Sequence, residues 1–136
     1  MANTFTAPFA QTPKTATAVC TAVATLTDTP SNTVLLVTAG SDGAILTRLT
    51  AIPRATVTAS SLVVFISKDA GTTQRLIDSE LMAAHTVATT TAIPETVFAF
   101  YSEAAPLRLE AGDRIYVGSQ VALAGGIVFR AEFTDF

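Results

Sequence analysis

A chain of 136 residues and 14.1 kDa has room for one hydrophobic core and would starve two. Apolar residues make up 49% of it and charged residues 14%, richer and poorer respectively than an average soluble domain. Even so, Thr, Arg, Asp or Pro interrupts every apolar run well short of the ~20 residues a membrane-spanning helix needs. The net charge is −3, and the eight basic side chains are scattered, which argues against the concentrated positive footprint of a nucleic-acid binder.

Met1-Ala2-Asn3-Thr4-Phe5 lacks the basic stretch and apolar run of a secretory leader, so folding in a cytoplasm is expected. Cys20 is the single cysteine, which excludes an intrachain disulfide and any multi-cysteine zinc site. The apolar excess points to surface covered by a partner, most economically by copies of the same chain. Arginine outnumbers lysine among the basic residues, a bias toward surfaces that meet protein.

Residues 1–15 combine Pro8, Pro13, Phe5 and Phe9 with almost no charge and read as an extended N-terminal arm whose aromatics need something to dock on. From Ala16 to Leu26, Ala16, Ala18, Cys20, Ala22 and Ala24 alternate with a Thr/Val face, the period of a strand. Asp28-Thr29-Pro30-Ser31-Asn32 turns the chain. Thr33 to Thr38 is a second strand, Gly40-Ser41-Asp42-Gly43 a hairpin or bulge signal, and Ala44 to Ile52 a third strand that Pro53 ends or bulges. Ala55 to Ser67 contains Leu62-Val63-Val64-Phe65-Ile66, apolar on both faces, hence buried on both sides within a sandwich or beneath a neighbouring subunit.

After the Lys68-Asp69-Ala70-Gly71 turn, Thr72 to Ile77 returns as a strand, and Ser79 to His85 is predicted to form one helical turn with Ser79 near its N-cap. Val97 to Tyr101 is read as a strand with Phe98 and Phe100 sharing a face. Leu107-Arg108-Leu109 and Arg114 to Val117 alternate on either side of the Glu110-Ala111-Gly112-Asp113 turn. Ile127, Phe129, Ala131 and Phe133 line one face of a closing strand. The sum is about eight strands with turn signals at sandwich spacing and no βαβ pattern.

Candidate chemistry is thin. His85 is the lone histidine, and Asp78, Ser79 and Glu80 near it in sequence form no nucleophile elbow or other catalytic motif. Asp28, Asp42, Asp69 and Asp113 fall in turns, where aspartate bonds its own backbone. Glu103 with Glu110 or Glu95 would be a carboxylate pair only if the fold brought them together. Cys20 alternates with alanines, as a buried inert thiol does. No catalytic, cofactor-binding or metal-binding residue is assigned, and the chain is expected not to be an enzyme.

Leu107-Arg108-Leu109-Glu110-Ala111-Gly112-Asp113-Arg114-Ile115-Tyr116-Val117 resembles a motif of small β-sandwich virion proteins of tailed bacteriophages: an alternating strand, a Gly-Asp turn, and a strand carrying Ile-x-Val. Thr33 to Ala39, Leu46 to Ile52, Leu62 to Asp69 and Gly126 to Phe133 are similar to the other strands of such proteins. The resemblance covers about Pro30 to Phe136, leaving the first strand and the arm outside, and implies a jelly-roll-like fold; with the first strand added, an all-β, antiparallel β-sandwich is expected over residues 16–136 behind the extended arm of residues 1–15. The resemblance also implies a capsid decoration (cement) protein on the virion surface, assembled in a bacterial cytoplasm. Such a protein would self-associate, with a trimer expected, and would bind the major capsid protein without a cofactor, nucleic acid or membrane. Phe5, Phe9 and Phe136, aromatics beside the chain ends, are the expected partner contacts. The alternative is a receptor- or glycan-binding module of a tail fibre or baseplate, against which stand two tyrosines and no tryptophan.

Overall fold

A computed structural model describes residues 12–136. The arm up to Gln11, with Phe5 and Phe9, lies outside the described residues. Nine strands and no helix are present among them: β1 (Thr12–Cys20), β2 (Val34–Thr38), β3 (Ala44–Pro53), β4 (Ser60–Ser67), β5 (Arg75–Met82), β6 (Thr96–Val97), β7 (Leu107–Leu109), β8 (Arg114–Ser119) and β9 (Ile127–Asp135).

They form two antiparallel sheets. One runs β1-β9-β3, with β7 pairing the first half of β3 and β6 the second. The other runs β2-β8-β4-β5. The inner faces meet in a single apolar core: Leu46, Leu49 and Phe129 from the first sheet lie against Leu62, Val64 and Ile115 from the second, all fully buried. Period-two alternation puts every second residue of β9 in this core, as Ile127, Phe129, Ala131 and Phe133 do. The arrangement is sandwich-like.

Bulges explain where strict alternation breaks. In β3 the pairing with β9 shifts between Leu46 and Arg48, so Thr47 is the extra residue, and Leu46 and Leu49 both face inward. A similar shift makes Ile77 the extra residue of β5, opposite Val64 and Phe65.

Leu62 to Phe65 are buried on both faces of β4, with Ile66 half-buried after them, and the second cover comes from the chain itself. Beyond Cys20 the chain leaves the first sheet, and residues 21–33 form a strap over the outer face of the second sheet. Ala24 closes over Val63, Phe65 and Tyr116. The strap is tied at both ends. Ala24 N–H donates to Ser119 O at 2.9 Å and Gln120 Nε2 donates to Ala24 O at 2.6 Å, while Gln74 N–H donates to Asp28 O at 2.8 Å.

Four expectations need correcting. The first strand runs from Thr12 to Cys20, so it takes in residues assigned to the arm and stops well before Leu26. Ser79 to Met82 continue β5 and form no helical turn, because pairing with Ser60 to Val63 satisfies their backbone. Phe98 and Phe100 do not share a face: Tyr101 N–H bonds back to Phe98 O in a turn, which buries Phe98 and leaves Phe100 exposed. Of the strand read from Val97 to Tyr101, only Val97 pairs, together with Thr96, as the two-residue β6.

Candidate functional site

The residues with chemistry are dispersed. His85 exchanges backbone hydrogen bonds with Val57 at 2.9 and 3.0 Å, and its Nε2 is buried without a partner. Glu80, Leu81, Pro94 and Val97 share with it an open groove of about 280 Å³, where the β5 edge faces β6 across the sandwich. Glu95 pairs with Arg48 at 3.1 Å on the outer face of the first sheet, whereas Glu110 lies 3.7 Å from Lys68 at the β7–β8 turn. These two acids thus serve different neighbourhoods, whereas Glu103 lines a cleft with Tyr101, Glu132 and Arg48, the partner of Glu95. Among the described residues no three His, Cys, Asp or Glu side chains converge as a metal site.

Cys20 faces the core, and burial pushes its thiol up to about 12. The Gly-Asp turn is structural. Asp113 N–H donates to Glu110 O at 3.1 Å, Gly112 takes φ +76° at the third position of this type II turn, and Asp113 Oδ2 accepts from Glu110 N–H and Lys68 Nζ, each at 2.8 Å. Asp135, also buried, accepts Lys14 Nζ at 2.6 Å and Gly40 N–H at 3.2 Å, and so clamps β1 and the β2–β3 connection onto the end of β9.

One buried titratable pair has no counterpart in the sequence reading. Asp78 on β5 turns toward the core with the Tyr101 phenol against it, Ser79 N–H donates to its Oδ1 at 2.8 Å, and its Oδ2 has no hydrogen-bond partner. Burial raises the Asp78 carboxyl above its ordinary value, and burial beside that carboxylate raises the Tyr101 phenol. Nothing in the local sequence marks the pair, since Asp78 and Tyr101 meet only when the turn after β6 folds over the edge of the second sheet.

Surface able to meet a partner is plainer than any catalytic centre. Val23 and Leu26 on the strap, Leu35 on β2, and Leu76 and Leu81 on β5 stand exposed on the outer side of the second sheet, Leu81 at 69%. Phe100 is exposed at 75% on the turn after β6. Phe136 is half-buried, with its N–H donating to Gly43 O at 3.2 Å, so part of its ring area is already used within the chain. The signal that could have found Leu76 and Leu81 is their place on a strand beside acids and an arginine, a pattern that the helical reading of Ser79 to His85 concealed for Leu81.

Comparison with protein-family models, with curated proteins and with solved structures returns no match.

Proposed function

We propose that this chain is a structural virion protein of a tailed bacteriophage: a capsid decoration protein with a jelly-roll fold that self-associates and clamps neighbouring major capsid protein subunits. The observation that carries the reading is the strand order. Passing along the chain, β1, β3, β6, β7 and β9 fall in one sheet and β2, β4, β5 and β8 in the other. The last strand is inserted between β1 and β3, and β8 between β2 and β4. Interlocked Greek keys give this order, and they are the arrangement of jelly rolls, including those of viral capsid domains.

Two further features support it. The phage-like segment Leu107 to Val117 falls on β7, its Gly-Asp turn and β8. The exposed apolar side chains on the outer side of the second sheet, with Phe100 on the turn after β6, suit a protein that meets protein. The mechanism is mass action: a ligand that binds only the assembled lattice stabilises it by RT ln(1 + [L]/Kd) per site, and several contacts per oligomer amplify each one.

The test is imaging of the parent particle with the chain labelled. Many copies distributed over the head support decoration. A few copies at the tail would replace it with the receptor- or glycan-binding reading, and absence from the particle would sink both. Phe5 and Phe9 are tested by a truncation ending at Gln11, which leaves β1 whole. If both rings sit in pockets of the coat protein, at roughly 1.5–3 kcal/mol each, the truncated chain binds empty heads at least about a hundredfold more weakly while keeping its fold. Wild-type occupancy at limiting concentration would remove the arm from the contact.

A further inference from the structure

The two sheets offer four edges, and three of them are blunted in the ways that prevent strand addition. β2 has five residues and a bulge after Leu35. β6 and β7 have two and three residues. β5 is longer but is bent by the extra residue Ile77 and carries Arg75, Asp78 and Glu80.

β1 is neither short nor bulged. Its nine residues pair with β9 in unbroken register from Thr12 to Cys20. Its proline stands at the second position, and its one charge, Lys14, is held by Asp135. Among the described residues, no backbone group of Thr12 to Cys20 bonds anything other than β9. Thr12 to Thr15, Thr17 and Val19 are exposed, so no described residue covers the outer side of the strand.

We propose that β1 is a self-pairing edge: β1 of a second copy adds to it antiparallel across a two-fold axis and joins the two β1-β9-β3 sheets into one. The occupant follows from the strand's own pattern. About a two-fold through Thr17, Thr17 meets Thr17, Ala16 meets Ala18, and Thr15 meets Val19, so that small inward side chains face small ones and β-formers face β-formers. Lys14 then falls opposite Cys20, which puts the two ammonium groups about 20 Å apart at the rise of a strand and opposes no like charges. A partner strand of strong charge would find nothing on this edge to answer it. The contact is isologous and closes as a dimer. It involves the chain alone and requires no virion, so it stands or falls separately from the decoration reading.

The experiment is sedimentation of the full chain from about 1 to 100 μM, the range in which an edge contact of modest area associates. The expected result is a monomer–dimer equilibrium. Thr17→Lys, which sets two ammonium groups against each other on the axis at an exposed position, raises the dissociation constant at least about tenfold without changing the far-ultraviolet circular dichroism spectrum. Thr17→Cys cross-links to itself under mild oxidation, whereas Thr134→Cys on β9 does not. A monomer across the whole range overturns the proposal. So does an oligomer that Thr17→Lys leaves intact and Thr17→Cys fails to trap, which would place self-association on another surface.

Discussion

On the outer face of the β1-β9-β3 sheet, Arg48 lies between Glu95 and Glu132 at 3.1 and 3.7 Å, Arg130 reaches Glu132 at 3.5 Å, and all four side chains are 43–46% exposed. On the outer face of the other sheet, Val63 and Phe65 are buried beneath Ala24 of the strap. Both sheets share one core, but the first meets water through ion pairs and the second through a layer of its own chain. The strapped face is therefore where stability resides outside the core, and the ion-paired face is replaceable.

The sharpest way to break this comparison is Phe65→Ala, which opens a cavity between sheet and strap and costs about 3–5 kcal/mol in denaturant unfolding. A cost below ~1 kcal/mol would mean that the strap contributes little and that the two faces are alike. Gly118→Ala comes next. A Cβ there would lie 2.6 Å from the Ala24 Cβ, so the strap must lift, at about 1–3 kcal/mol. Hydrogen exchange should then accelerate at Ala24, whose N–H bonds Ser119, while β9 stays protected. Arg48→Ala gives the smallest change, within ~0.5–1 kcal/mol and diminishing with added salt, because its partners are exposed.

The pH dependence sharpens the picture at the edge of the strapped sheet. The unfolded chain releases the Asp78 proton near the ordinary 3.8, while the native carboxyl, raised first by burial and then by the charge of Glu80, holds it to higher pH against hydrogen bonds from Tyr101 and Ser79. Its contribution is full below the unfolded value and is lost as pH rises through the native one. Asp78→Asn should therefore gain stability relative to the wild type as pH increases from 3.8 toward neutrality. A difference that stays flat over that interval, measured by paired urea titrations, would show that Asp78 is solvated in the native state.

Local pattern and global outcome diverge at identifiable residues. The double burial of Leu62 to Phe65 was legible because β4 is apolar at consecutive positions. Its cover was not, since Thr21 to Leu26 keep the period-two alternation of the strand before them although the chain has left the sheet. Ser79 to His85 read as helical from Glu80, Leu81, Met82 and Ala83, all good helix formers, and pairing with β4 overrode them. Alternation placed Phe100 on the same face as Phe98, but a turn buries Phe98 and points Phe100 to solvent. Of the expected contact residues, Phe136 proved half-buried against the chain's own fold. The free edge of β1 depends on which strands end up outermost, a property of the sheet order that no local window contains.

That order also governs when the protein can fold during synthesis. β9, the last of the nine strands in chain order, lies between β1 and β3, and Thr12 pairs with Asp135. β1 and β3 cannot meet directly, so until the ribosome has released β9 each keeps a bare edge and the nascent chain exposes half a sandwich. Folding of the β1-β9-β3 sheet then waits on β9 and has high contact order, slow by topology, and meanwhile the apolar β4 strand is the segment most in need of a chaperone.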